Sequence, residues 1–239
     1  DDAEIRALAT PSSRVIDSGG RLVLPGFQDT HIHLQESGTR HAFDLDLQGV
    51  RNLDELKGKL AAFAAKHPDR AWRKGHGWYT GIFNGRNLTR QVLDEAVPDR
   101  PLFLSSSDYH SAVINTRACE AIGLDAGVQD PENGYFSRDA LGIPTGMLNE
   151  AAMEFARERM PKTTDAEWEE GVLWGQHHAN RHGFTGVLDA LVTERHLRVY
   201  NALDRRGELT LRVASTAVVE PSDSVKGALD RLEDFRRSY

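Results

Sequence analysis

The chain has 239 residues, of which 39% are hydrophobic and 27% charged, a composition typical of a globular protein with a substantial core. Its formal net charge is -7, with both signs interspersed, which excludes the basic footprint of a nucleic-acid-binding surface and a polybasic membrane patch. No apolar run approaches the roughly 20 residues that a membrane-spanning helix needs. The composition therefore predicts neither nucleic acid nor a membrane as a partner.

The single cysteine, Cys119, excludes an internal disulfide. This fits a reducing compartment, and we expect a cytoplasmic protein. The polar, acidic residues at the start of the sequence give no sign of a signal peptide. A small buried hydrophobe on a helix is the expected role of the thiol.

Helical periodicity is clearest in residues 52–66, where Leu53, Leu56, Leu60 and Phe63 fall on one face and lysines on the other. Capping residues at the start of a segment, or a glycine just after it, indicate further helices. The predicted helices cover residues 1–9, 52–66, 115–122, 151–160, 164–182, 194–206 and 222–237.

Short apolar runs bounded by turn residues predict the strands. A β-hairpin is predicted for residues 14–24, with its turn at Ser18-Gly19-Gly20. Further strands are predicted at residues 27–33, 72–78, 101–105, 184–189 and 209–219, and a hairpin or ordered loop at 130–146. From residue 164 onward helices and strands alternate, which predicts parallel strands joined by crossover helices and an α/β fold.

A His-x-His pair follows a Pro-Gly turn in the strand predicted at residues 27–33. Residues i and i+2 of a strand point to the same side, so His31 and His33 aim two imidazoles at one point. Neutral imidazole is a good ligand for zinc and similar metals. A bare His-x-His also fits two unrelated surface histidines, so the residues around it decide the interpretation.

Those surroundings resemble a known family. The run PGFQDTHIH, which ends at His33, is similar to the metal-binding signature that opens the barrel in the amidohydrolase superfamily. Further motifs follow in the order of one subgroup, which includes N-substituted formamide deformylases. They are Gly77-Trp78-Tyr79, Leu93-Asp94, Pro98-Asp99-Arg100-Pro101, Asp108-Tyr109-His110 with Asn115, and the run from Gly142 to Ala151.

The resemblance implies a (β/α)8 TIM barrel, a fold of about 250 residues, of which about five strands would be present here. The chain is therefore expected to be incomplete. Residues 1–24 would be the end of a small flanking β-sandwich domain, and residues 25–239 the first part of the barrel.

The resemblance also implies one or two divalent metal ions, expected to be zinc, with His31, His33 and Glu150 as ligands. Glu150 has a simpler interpretation as an acidic residue in the first turn of the next helix, where the helix dipole favours it. Asp29 either orients an imidazole as a supporting carboxylate or begins a turn.

Trp78, Asp108 and His110 are the expected substrate-binding residues, because parallel barrels build their sites from loops at the strand ends. Ordinary packing of Trp78 and a solvated loop histidine are the alternatives. Asp189, at the end of its predicted strand, has the same two interpretations: a residue of the site or a residue that only packs. In the family, an aspartate from the last strand acts as the base; it is expected beyond residue 239, so the fragment alone is expected to be inactive.

The function that follows is hydrolysis of carbon–nitrogen bonds other than peptide bonds, such as amides or N-substituted formamides, through a metal-activated water. The alternatives are a ring-amidine deaminase on the same scaffold and a non-catalytic binding or regulatory relative. A small molecule is the expected substrate, and a homo-oligomer is an open alternative to a monomer.

Overall fold

The computed structural model describes residues 1–79, 81, 88–219 and 222–239 and shows a mixed α/β fold. Its strands are β1 Phe27–Ile32, β2 Leu45–Asp46, β3 Arg73–Trp78, β4 Leu102–Ser106, β5 Ser111–Ile114, β6 Gly134–Arg138, β7 Pro144–Glu150, β8 Phe184–Val192 and β9 Arg212–Ala217. Its helices are α1 Asp2–Ala7, α2 Leu34–Phe43, α3 Leu53–Lys66, α4 Arg90–Ala96, α5 Thr116–Ile122, α6 Ala151–Arg159, α7 Asp165–Arg181, α8 Glu194–Arg205 and α9 Val225–Ser238. None of the helices in these ranges is long and apolar enough to cross a membrane.

A three-stranded parallel sheet has the order β1-β8-β9. This confirms the parallel strands and crossover helices predicted from residue 164 onward. In its register Ile32 of β1 lies opposite Asp189 of β8, and Asp189 lies opposite Ser215 of β9. A core of buried residues from α2, α7, α8 and β8 packs beside it, including Leu34, Val172, Val187, Val199 and Leu203. The end of β1 that carries the His-x-His pair is therefore held by β8.

A second sheet has six strands in the order β2-β3-β4-β5-β7-β6. β2, β3 and β4 are parallel, whereas β5, β7 and β6 continue the sheet in antiparallel pairs. The strands predicted at residues 72–78 and 101–105 belong to this sheet and not to the sheet that contains β1. The predicted hairpin within residues 130–146 is confirmed as β6 and β7, while β5 was not predicted.

The helices α2 and α7 pack with their backbones in contact, because glycines lie between them. A Cβ on Gly38 would lie 2.1 Å from the carbonyl oxygen of Gly171, and one on Gly171 would lie 2.1 Å from Oγ1 of Thr39. One on Gly175 would meet Leu34 at 3.0 Å. Helix α2 begins directly after His33, so this contact fixes the chain that leaves the His-x-His pair.

The hairpin predicted for residues 14–24 is wrong for this structure: only a turn at Gly19 and Gly20 forms, both with positive φ. The apolar side chains that should have formed one face are exposed, Val15 by 71%, Ile16 by 74% and Leu22 by 82%. An isolated two-stranded hairpin is marginal in water unless one of its faces is buried, which explains the absence of strands here.

The side chain of Asn115 is fully buried and joins three segments of the second sheet. Its Oδ1 accepts hydrogen bonds from the backbone N–H groups of Leu102 at 3.0 Å and Ala118 at 2.9 Å. Its Nδ2 donates to the carbonyl oxygens of Val97 and Arg100, both at 2.8 Å. Asn115 therefore fixes the start of β4, the strand that leads to the loop carrying Asp108 and His110.

Candidate functional site

The imidazoles of His31 and His33 lie close together where β1 meets α2. Their ring centroids are 5.6 Å apart with an interplanar angle of 75°. Two imidazoles that ligate one tetrahedral zinc ion at about 2 Å have ring centres about 5 Å apart, so the observed spacing fits a shared cation. Nδ1 of His33 is buried and has no hydrogen-bond partner among the described residues. A buried nitrogen without a hydrogen-bond partner is free to ligate a metal, so His33 fits the predicted role.

Asp29 acts on the backbone between the two histidines. Its Oδ1 accepts a hydrogen bond of 3.0 Å from the backbone N–H of His31. Of the two sequence interpretations of Asp29, this contact favours local support of the strand end over direct orientation of an imidazole ring.

A second group of predicted residues meets at the far end of β7. Nδ1 of His110 lies 3.1 and 3.2 Å from the two carboxylate oxygens of Glu150, and the backbone N–H of Glu150 donates to the carbonyl of His110 at 3.0 Å. The hydrogen bond with Glu150, and then its charge, raise the pKa of His110. Glu150 has φ 51° and ψ -123°, a conformation that is costly for a residue with a side chain. Strain of this kind is found most often at functional sites.

Asp108 holds the loop that leads to His110. Its Oδ1 accepts hydrogen bonds from Oγ of Ser106 at 2.5 Å and from the backbone N–H of His110 at 3.0 Å. These hydrogen bonds lower the pKa of Asp108. The guanidinium carbon of Arg40 lies over the ring of the next residue, Tyr109, 4.6 Å from the ring centroid. Because Arg40 belongs to α2, this contact joins the loop to the helix that starts at His33.

Trp78 is fully buried in the core of the second sheet, with Leu47, Leu56 and Leu104 in the same cluster. Its indole N–H donates to the carbonyl of Leu104 at 3.1 Å. The neighbouring residues 80 and 82–87 lie outside the described part of the chain. The substrate-binding role of Trp78 remains a prediction, and its contacts here are those of a core residue.

Within residues 1–79, 81, 88–219 and 222–239, no three His, Cys, Asp or Glu side chains converge on a position that could hold a metal ion. The predicted ligands thus form a pair, His31 with His33, and Glu150 contacts His110 instead. The structure thus divides the predicted residues into two separate pairs. His31 and His33 lie at the end of β1, and His110 and Glu150 lie beside β5 and β7.

Asp189 is the buried acid that sequence reasoning left open. It is 1% exposed, and its carboxylate accepts a hydrogen bond of 2.6 Å from the phenol of Tyr200 on α8. Burial, with the charge of Asp189, raises the pKa of Tyr200. An acid inside an apolar strand is a sequence signal for a buried polar contact, but the sequence does not identify its partner.

Comparison with known proteins gives a consistent result. The model of a family described as "Amidohydrolase family" matches residues 14–236. The N-substituted formamide deformylase of Arthrobacter pascens is 30% identical over 214 residues, which are 87% of this chain and 40% of that protein. A protein of Bacillus subtilis (strain 168) named "Putative amidohydrolase YtcJ" is 29% identical over 178 residues, 74% of this chain and 34% of that protein.

Among solved structures, an uncharacterised metal-dependent hydrolase from Pyrococcus furiosus superposes with a TM-score of 0.61 and 27% identity, over 88% of this chain and 40% of that one. The chain therefore spans well under half the length of these relatives.

Proposed function

Because this chain belongs to the amidohydrolase family, we propose that it forms part of a metal-dependent hydrolase that cleaves carbon–nitrogen bonds other than peptide bonds. Hydrolysis in general follows from the family and from the metal-dependent hydrolases of similar structure. The narrower substrate class, amides or N-substituted formamides, is supported by the name of the relative from Arthrobacter pascens. The observation that carries the proposal is the convergence of His31 and His33.

His31 and His33 would hold a divalent cation, which we propose to be zinc, as one ion or as the first of two. The chemistry that such an ion supplies is polarisation of a carbonyl group and a lowered pKa of water. The chain contributes the fixed position of the two imidazoles, because β8 supports β1 and the contact between α2 and α7 fixes the chain after His33.

We retain Glu150 as a proposed additional ligand. A carboxylate that ligates a metal is ordinarily oriented by a hydrogen bond from a neighbouring residue, and Nδ1 of His110 supplies such a contact at 3.1 Å. His110 would donate a hydrogen bond to the substrate, and Asp108, which accepts from the backbone N–H of His110, would hold the loop in place. We retain Trp78 in the proposed substrate-binding set on the strength of the family motif Gly77-Trp78-Tyr79.

We also propose that β1, β8 and β9 are strands of a (β/α)8 barrel of which residues 25–239 are the first part, with residues 1–24 at the end of a flanking β-sandwich. The three parallel strands with helices between them support the barrel. A cytoplasmic location is supported by Cys119, a buried thiol whose pKa burial raises to about 11.

The test is hydrolysis of a panel of N-substituted amides and formamides by the purified full-length protein of which this chain forms part, with separate assays for amine, acid and ammonia. We expect amine and acid as products, and a loss of about 100-fold or more in kcat/KM for His31→Gln/His33→Gln. His177→Gln, at an exposed helix position, is the matched control. Unchanged turnover in the double variant would refute the proposed site. A ring amidine is added to the panel: ammonia released from it, with no turnover of the N-substituted amides and formamides, would indicate deamination instead.

A further inference from the structure

A cavity of about 560 Å³ lies between the two sheets, in the size range of small-molecule sites. Its wall includes Glu36 and Arg40 of α2, Ser105 of β4, and Trp168 and Arg195 of α7 and α8. Glu36 is in the first turn after His33, and Ser105 lies just before the loop of Asp108 and His110. The wall of the cavity thus includes residues close in sequence to both halves of the proposed site, although His31, His33, His110 and Glu150 do not line it.

The wall of this cavity has an excess of positive charge: five basic and three acidic side chains line it. Three of the cations have an acidic partner, Arg40 with Glu36 at 3.4 Å, Lys74 with Asp44 at 3.7 Å, and Arg157 with Glu154. The other two, Lys162 and Arg195, have no acidic partner within 4 Å among the residues that the structure describes.

Buried donors in the same wall also lack acceptors. Nε of Arg195 and Nε1 of Trp168 are both buried without a hydrogen-bond partner among the described residues, and Trp168 is only 8% exposed. The guanidinium carbon of Arg195 lies 4.6 Å from the indole ring centroid, so the two donors are neighbours. A buried N–H ordinarily has an acceptor, so these two donors call for an explanation.

Lys162 approaches from the segment that precedes α7. Its Nζ donates to the carbonyl of Arg157 at 3.1 Å, which positions the ammonium without neutralising it. The positive end of the dipole of α7 begins two residues later, at the N-cap Thr164. The ammonium favours negative charge in the cavity, whereas Asp165 and Glu167 in the first turn of α7 already offset the positive end of its dipole.

We propose that this cavity binds the anionic group, a carboxylate or a phosphate, of a small-molecule substrate through Arg195, Lys162 and the indole N–H of Trp168. This inference rests on the proposed function, because only a hydrolase has a substrate whose anionic group can bind here, away from the bond that is cleaved. Charge-assisted hydrogen bonds to such a group give it orientation as well as affinity.

The test is calorimetric titration of the purified protein with inorganic phosphate and, separately, with succinate, at an ionic strength held constant with chloride. We expect saturable binding of at least one probe, and the tighter one identifies the group. Arg195→Gln and Lys162→Gln should each weaken it by about tenfold, and Trp168→Phe, which keeps a ring but lacks the N–H, by about threefold. Arg205→Gln, an exposed arginine of the same helix, should change nothing.

No binding of either probe, or equal affinities of Arg195→Gln, Lys162→Gln and Arg205→Gln, would overturn the proposal. Because Lys162 is exposed, its variant is expected to fold even if Arg195→Gln does not. His31→Gln/His33→Gln separates this inference from the proposed function. Anion binding that survives in that variant supports the cavity whatever the metal result, whereas binding lost there and kept in Lys162→Gln assigns the anion to the histidine pair and overturns the cavity proposal.

Discussion

The phenol of Tyr200 donates a hydrogen bond of 2.6 Å to the buried carboxylate of Asp189, directly beside the strand that ends at the histidine pair. Asp189 lies opposite Ile32 in the register of β8 and β1. Among the described residues, the carboxylate of Asp189 has one other donor, the backbone N–H of Leu191, at the longer distance of 3.4 Å. The bond therefore stabilises the centre of the parallel sheet.

Removal of this hydroxyl should destabilise the protein. Tyr200→Phe leaves a buried carboxylate with a missing donor, and we expect the free energy of unfolding to fall by about 1–3 kcal/mol. Urea denaturation followed by circular dichroism measures the change. Tyr135→Phe, at a tyrosine that is 54% exposed, should have an effect within about 0.5 kcal/mol of zero. Equal effects of the two substitutions would show that the bond contributes nothing.

Alanine at Gly38, in the contact between α2 and α7, and alanine at Gly58, in α3, should change the free energy of unfolding in opposite directions. Gly38→Ala would place a Cβ 2.1 Å from the carbonyl oxygen of Gly171, so the helices must separate, and we expect a loss of about 1–3 kcal/mol. Gly58→Ala in α3 meets nothing within 4 Å and should stabilise by about 0.5–1 kcal/mol because alanine favours helix. Thermal unfolding of both variants measures this, and stabilisation by Gly38→Ala would contradict the observed contact.

His196 should make stability depend on pH. It is 4% exposed, and its Nδ1 accepts a hydrogen bond of 3.2 Å from the backbone N–H of Thr193 at the start of α8. Burial lowers its pKa below the usual 6.5, against the opposing charges of Asp189 and Glu36 and with a smaller contribution from Arg195. Protonation would bury a charge and remove the acceptor of the backbone N–H of Thr193, while Oγ1 of Thr193, 2.7 Å from Nδ1, could then accept from the ring.

The sign follows from proton binding. Between the lowered folded pKa and the unfolded pKa of 6.5, the unfolded chain binds more protons, so stability falls as the pH drops below about 6.5 and is level for this group above it. We expect His196→Gln to reduce this slope in urea unfolding between pH 5 and 7.5, about the range in which histidine titrates. His177→Gln, at an exposed position, should keep the wild-type slope. An unchanged slope in His196→Gln would exclude this contribution.

Local signals in the sequence predicted several elements correctly. Thr164 and Glu167 were expected to cap a helix, and they form a reciprocal capping box at the start of α7. The apolar stripe from Leu53 to Phe63 predicted α3. His-x-His predicted two neighbouring imidazoles, and the rings of His31 and His33 lie 5.6 Å apart, while their role as metal ligands stays a prediction. Each of these depends on residues close together in sequence.

Other features depend on contacts that no local pattern specifies. His110 and Glu150 meet because Ser111 and Asn149 are opposite each other in the antiparallel pair of β5 and β7. Periodicity predicted the strands at residues 72–78 and 101–105 but not the sheet to which they belong. Helix α2 lacks a continuous apolar stripe, and its Gly38 lowers helix propensity; its stability comes from packing against α7.

The central claim, a metal ion shared by His31 and His33, is tested most directly by calorimetric titration of zinc into the purified, chelator-treated protein. The wild type should bind zinc saturably, and His31→Gln/His33→Gln should bind it about 100-fold or more weakly, with His177→Gln unchanged. Zinc binding of equal affinity and stoichiometry in the wild type and in the double variant would contradict the claim.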